Sequence, residues 1–206
     1  MIRLISLFLS LILSTIYTMA QFTEQEIALI NSIDETPSMR VLLIEKTEDS
    51  LVLRKKCSDI DVSKNKKELA LLIERMKATM EAESGVGIAA PQVGISKNIF
   101  LFTRLDQPDF PVVAAINPKI INHPEETICF ENDGCLSIPG VAGNSIRYPW
   151  IEVEYTNEKG ELIKEKQEGY SRSGNFTGII FQHEYDHLQG ILFTDKLCPI
   201  NNTFSE

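Results

Sequence analysis

The clearest periodicity in the 206-residue chain lies at 65–83, where Leu69, Leu72, Ile73, Met76 and Met80 recur at three- and four-residue steps among Lys and Glu. That spacing predicts an amphipathic helix with one buried face, ended by Ser84-Gly85. A second helix is predicted from 175 or 177 to 188, with Gly190 just past its end as a C-terminal cap. A short helical pattern, Ile27, Leu29 and Ile30 within 23–32, marks an N-terminal arm. Elsewhere the apolar runs are short and bounded by Pro, Asn and Gly. Segments 41–44, 51–53, 99–102, 112–116, 119–121, 146–156 and 162–166 read as strands or extended pieces, with turns at 47–50 and 157–160. Strands with one helix before them and one after predict a single α+β domain.

The first twenty residues break this pattern. Met1-Ile2-Arg3 carries one positive charge, 4–17 is uncharged and rich in Leu and Ile, and the small residues Thr18 and Ala20 stand three and one positions ahead of a cut before Gln21. This reads as a secretory signal peptide. Its apolar run of about 14 residues falls short of the roughly 20 that span a bilayer as a helix. An uncleaved anchor and a buried first helix are the alternatives. The expected organisation is a leader at 1–20, an arm at 21–37, a catalytic domain at 38–198 and a short tail at 199–206. The product is expected to be exported, periplasmic or secreted; the alternatives are cytoplasmic or held at the inner membrane.

Composition narrows the function. With 43% hydrophobic and 24% charged residues the chain is ordinary globular material, which excludes disordered and multi-span membrane classes. Twenty basic residues against 29 acidic ones give −9, or 19 − 29 = −10 once Arg3 leaves with the leader. Such a balance argues against a nucleic-acid partner, which wants clustered Lys and Arg. Cysteines stand at 57, 129, 135 and 198 without a CxxC pair.

The chemistry concentrates in the last predicted helix. His183-Glu184-Tyr185-Asp186-His187 puts two imidazoles four residues apart, and about 400° of helical rotation returns both rings to one face, where they can share a cation. Glu184 falls beside such a cation rather than on it, placed to accept a proton from water. A third ligand is still needed. The metzincin position downstream holds Phe193, and the remaining acids, Asp195 and Glu206, lie around Pro199. The ligand must come from upstream, where Asn132-Asp133-Gly134-Cys135-Leu136-Ser137 offers a thiolate suited to zinc or ferrous iron.

Three motifs together carry a family resemblance. Gly85-Val86-Gly87-Ile88-Ala89-Ala90-Pro91-Gln92, Asp133-Gly134-Cys135-Leu136-Ser137 and Gln182-His183-Glu184-Tyr185-Asp186-His187-Leu188-Gln189-Gly190 are similar to GxGLAAPQ, EGCLS and QHExDHLxG. In that order they resemble the peptide deformylases over about 38–198. The resemblance implies small antiparallel or mixed sheets around the C-terminal metal-binding helix, with metal held by Cys135, His183 and His187, and hydrolysis of N-formylmethionyl peptides or nascent-chain N-termini to release formate. It also implies Glu184 as the proton carrier, with the Gln92 amide and the Leu136 backbone N–H as oxyanion donors. Ferrous iron is the metal it points to, with zinc or another divalent ion as substitute.

Gly85 and Gly87 are expected to let backbone approach the substrate, and Val86, Phe176, Ile179 and Ile180 to line a methionine pocket. Asp186 faces away from the metal pair and wants a cation, Arg147 first and Arg172 second. Ile88 and Asp133 depart from the family's Leu and Glu, the latter putting a shorter carboxylate near the pocket. The stretch 171–178 departs from the family's usual Ala-Arg approach to the last helix. With Cys135 reserved for metal, Cys57, Cys129 and Cys198 supply at most one disulfide and read as bystanders. The rival readings are a secreted HExxH zinc peptidase, disfavoured by the absent downstream ligand, and a non-catalytic module binding metal or formyl peptide, disfavoured by the intact Glu184.

Overall fold

A computed structural model describes residues 20–32 and 36–199. All of the predicted leader but Ala20, and all of the predicted tail but Pro199, lie outside the described residues, and no helix among those described is long and apolar enough to cross a membrane. Four α-helices and seven strands follow in the order α1 (Glu24–Asn31), α2 (Thr47–Leu53), α3 (Lys66–Ala82), β1 (Gly87–Ala89), β2 (Ile99–Thr103), β3 (Val112–Asn122), β4 (Ile128–Cys135), β5 (Ile138–Arg147), β6 (Trp150–Thr156), β7 (Leu162–Glu168) and α4 (Thr177–Leu188). Single 3-10 turns occupy Ala90–Val93 and Phe193–Lys196. The class is α+β, as the pattern predicts.

The strands form a five-stranded sheet, β1-β2-β3-β6-β7, and a separate two-stranded sheet, β4-β5; every pairing is antiparallel. α4 lies across the larger sheet, packed on β1, β2 and β7. Phe181 on its sheet side meets Phe100 and Phe102 edge to face, with ring centroids 4.8 and 5.3 Å apart. Such pairs add about 0.5–1.5 kcal/mol beyond the area they bury. Every residue of α4 except Tyr185 is buried, so this helix is the spine of the domain and its ionisable residues His183, Glu184, Asp186 and His187 all lie in the interior. α3 packs its predicted face into a second cluster with Ile88, Ile99 and Leu101. α1 begins on a capping box in which Thr23 Oγ1 accepts from the Glu26 N–H and Glu26 returns the bond.

Three expectations need correction. Segment 51–53 is not extended, and 47–50 is not a turn: both lie in α2. Asp49 and Leu53, four apart, share that helix's buried face, and a helical rather than alternating period satisfies them. Residues 146–156 are two strands. Pro149 has no N–H to continue a ladder, so the chain leaves β5 at Arg147 and enters the other sheet at Trp150. Conversely, 112–116 and 119–121 are one strand, with a register shift at Asn117-Pro118 where the ladder hydrogen bond is missing. Segment 41–44 joins no strand, and Ile44 already lies in the turn that leads into α2; the Leu42 and Ile44 N–H groups donate to Gln92 O and Ser137 O.

Cys129 and Cys198 form a disulfide, whereas Cys57 and Cys135 are free. Two of the three supposed bystanders are therefore joined. The bridge closes a stretch of 69 residues and ties the segment after α4 to the start of β4.

Candidate metal centre and active site

α4 and the β4-β5 hairpin meet through side chains, and the chemistry-bearing residues collect where they meet. β4 ends at Cys135, which pairs with Ile138 across a two-residue loop; the thiol therefore sits at a hairpin tip, facing the helix. His183 and His187 reach it from successive turns of α4. One ligand-type atom from each of Cys135, His183 and His187 lies within 4.8 Å of the others, and Cys135 Sγ is 3.3 Å from His187 Nε2. Sulfur and nitrogen ligands at about 2.3 and 2.1 Å from one ion, set at a tetrahedral angle, stand about 3.6 Å apart. The donor set fits a borderline-soft divalent metal in both softness and spacing.

The charges around the cluster prepare it. Asp133 Oδ1 is 2.9 Å from His183 Nδ1, leaving Nε2 as the free ring nitrogen, in the carboxylate–histidine arrangement that orients metal ligands. Burial opposes the His183 imidazolium, but the Asp133 charge outweighs it and holds the pKa well above the ordinary value. Burial, with His183 beside it, pushes His187 well below, and its Nδ1 has no hydrogen-bond partner among the described residues. The two rings are thus shifted in opposite directions, and ligation, which takes a neutral imidazole, works against the upward shift at His183.

Arg147 stands behind this pair, donating to Asp186 Oδ2 at 2.6 Å and Asp133 Oδ2 at 2.7 Å. Its Nε donates to Ser145 Oγ at 3.1 Å, and Ser145 Oγ donates in turn to Asp133 Oδ2 at 2.6 Å. The expected Arg147–Asp186 pairing is present. Arg172 instead lies over the Phe130 and Phe176 rings, 5.7 Å from each centroid. Asp133 is where the expectation fell short: 4% exposed, it supports His183 from behind rather than serving only as a pocket carboxylate.

Glu184 is buried, and desolvation pushes its carboxyl up to about 7, with Oε2 unpartnered among the described residues. Gly87 makes room for it, since a Cβ there would run into the Glu184 carboxylate. The Gln92 side chain is fixed at its oxygen end by the Ala89 N–H at 2.8 Å. This turns Nε2 towards Ser137 Oγ at 3.3 Å and Cys135 Sγ at 3.5 Å.

A cavity of about 490 Å³ opens in front of the cluster. Its lining includes Gly85, Val86, Gly87, Gln92, Cys135, Leu136, Phe176, Ile179, Ile180, His183 and Glu184, while His187 lies behind the wall. Sequence reasoning missed Phe130, Ile138, Pro139, Val141 and Arg172, which also line it. Four of these sit on β4-β5, whose Gly- and Asn-rich sequence gives no alternating signal.

Comparison with known proteins follows the same lines. The polypeptide deformylase family model matches residues 41–203. The peptide deformylase of Thermotoga maritima is 43% identical over 148 residues, covering 72% of this chain and 82% of that protein. The crystal structure of the peptide deformylase from Thermotoga maritima superposes with a TM-score of 0.65 at 37% identity, over 79% of this chain and 99% of that one. A Met-Ala-Ser-bound class I type b peptide deformylase from Acinetobacter baumannii gives 0.66 at 32% identity, over 78% and 98% of the two chains. A match of this extent in sequence and in fold settles the relationship: the chain belongs to the peptide deformylase family.

Proposed function

We propose that the chain removes the formyl group from N-formylmethionyl peptides, with Cys135, His183 and His187 holding a divalent metal and Glu184 moving the proton. The observation that carries this reading is the convergence of a Cys-His-His donor set and a buried carboxylate on one apolar-walled cavity. A divalent ion held by these three residues would supply Lewis acidity for water activation and carbonyl polarisation. Glu184, with a pKa near 7 before metal is present, is suited both to take a proton from the attacking water and to return it to the departing amine. Gln92 Nε2 and the Leu136 N–H serve as oxyanion donors. Val86, Phe176, Ile179 and Ile180 receive the methionine side chain, and Gly85 and Gly87 keep the neighbouring backbone close to the peptide. A peptide deformylase of the same fold has been crystallised with Met-Ala-Ser, a deformylated peptide of this kind, and this supports the substrate class.

Ferrous iron is the proposed metal, with zinc able to replace it, since one thiolate and two imidazoles suit both. The proposed location is outside the cytoplasm after removal of the leader, where the substrates are formylated peptides already shed or exported. The Cys129–Cys198 disulfide supports this, because such bonds persist in oxidising compartments. Fractionation of the source cells, with the mass of the N-terminus, tests it; an intact leader on cytoplasmic protein would reject it.

The decisive assay is formate release from formyl-Met-Ala-Ser, with the protein loaded with iron, with zinc or with neither. Release is expected with metal. It should fall by about 10²- to 10⁴-fold in Glu184→Gln while metal content stays at one ion per chain. No release from the metal-loaded parent would reject the reading.

A further inference from the structure

The segment that follows α4 gives the cluster no ligand, yet it is held against the cluster's back at several points. Phe193 lies along the His183 ring with centroids 6.4 Å apart. Lys196 Nζ donates to Asp186 Oδ1 at 2.6 Å. Leu197 bridges to Ser145 on β5, the Cys198 N–H donates to Asn144 O at 2.8 Å, and the Cys129–Cys198 disulfide fastens the end to β4.

Counting charge shows what Lys196 does there. Asp133 and Asp186 are both buried, and a single guanidinium, Arg147, stands between them. Asp133 also has His183 Nδ1 at 2.9 Å, so Asp186 is the carboxylate left short if Arg147 alone serves both, and a buried carboxylate lacking its partner is strongly unfavourable. Lys196 is the second cation: it takes Asp186 Oδ1 while Arg147 takes Oδ2. Contacts of 2.6, 2.6, 2.7 and 2.9 Å then run unbroken from Lys196 through Asp186, Arg147 and Asp133 to His183 Nδ1. A half-exposed lysine ordinarily gives up too much side-chain freedom to hold one partner for long. The disulfide two residues on fixes its backbone and removes part of that loss.

We propose that Lys196, kept on Asp186 by the Cys129–Cys198 disulfide, is a positioning residue of the metal centre. By satisfying Asp186 it leaves Arg147 to hold Asp133, and through Asp133 it sets the ring that presents a nitrogen to the metal. Opening the disulfide loosens that hold, so metal retention depends on the oxidised pair. This rests on Cys135, His183 and His187 being the ligands.

The test is zinc affinity of the full chain, measured by competition with a chromophoric chelator, for the parent, Cys135→Ala, Lys196→Met, Lys196→Arg, Cys129→Ser/Cys198→Ser, and the last combined with Lys196→Met. Lys196→Met is expected to weaken zinc binding about tenfold or more, in the range typical of groups that orient metal ligands, and Lys196→Arg to recover most of it. On formyl-Met-Ala-Ser its loss should fall in kcat with KM little changed, because the pocket wall is untouched. The double serine variant should weaken binding to a similar degree. Adding Lys196→Met to it should cost less than a further twofold, since both act through one contact. Reducing the folded parent with a phosphine opens the bridge without any substitution and should reproduce the loss, even if the serine variants fail to fold. Zinc affinity of Lys196→Met within twofold of the parent would overturn the positioning role. Additive losses, or unchanged affinity after reduction, would overturn the part given to the disulfide. A parent binding zinc no more tightly than Cys135→Ala would instead reject the ligand assignment itself, a separate result.

Discussion

Gly87 has no side chain, and the Glu184 carboxylate occupies the space one would fill. Gly87→Ala should therefore push the carboxylate aside. A displacement of about 1 Å in a catalytic group can cost on the order of 10²-fold in rate, so at least a tenfold fall in kcat is expected, with metal content unchanged. The glycine was legible in its motif, but its partner was not, because sequence spacing cannot say that residues 87 and 184 touch. Arg147 shows the same limit. Its pairing with Asp186 was expected, whereas its hold on Asp133 was not, since the two lie 14 positions apart across an irregular hairpin. Removing Arg147 takes one charged partner from each of two buried carboxylates. Arg147→Ala should lower stability by about 3–5 kcal/mol in urea unfolding and weaken metal binding with it, and a variant matching the parent in both would show that Arg147 supports neither.

Among the elements, α3 and α4 were readable because their apolar residues keep helical spacing over several turns. α2 was not: seven residues hold too few turns for the period to declare itself. The hairpin β4-β5 was missed because its strand character comes from pairing with a neighbour, not from the propensities of Asn132, Asp133, Gly134, Gly140 and Gly143. α2 is anchored by Asp49, whose carboxylate accepts from Arg40 at 2.7 and 2.8 Å and from the Leu43 N–H at 3.0 Å. The Arg40 hydrogen bonds hold the Asp49 pKa at about 2, below the ordinary 3.8. A depressed folded-state pKa gives stability that is complete above the ordinary value and disappears as pH falls through the folded one. Because Arg40 is largely exposed, the ion pair contributes about 1 kcal/mol or less. Asp49→Asn should thus be slightly less stable than the parent near neutrality, with the gap closing between about pH 4 and pH 2. A gap that widens on acidification in urea unfolding would contradict the pairing.

For the molecule as a whole, the open matter is the compartment, and the cysteines bear on it directly. Their spacing along the chain gave no framework, because connectivity depends on which residues the fold brings together; only in three dimensions do 129 and 198 meet, at a Cα separation of 6.0 Å. A bridge across 69 residues removes chain entropy from the unfolded state worth up to about 4 kcal/mol, but only where it can form and persist. The two other thiols differ from it and from each other. Cys57 is buried, and desolvation pushes its thiol up to about 12, so it stays inert until the chain unfolds; Cys135 sits at the proposed metal site. Protein denatured in excess alkylating reagent with a chelator, without reductant, should therefore take up two labels, at Cys57 and Cys135, and four after reduction. Two labels on chain taken directly from its native compartment fit an oxidising space, which is where the leader would send it. Four labels before reduction would mean that the bridge does not form in the cell; the argument for export from the cysteines would then fall, leaving the leader to stand alone.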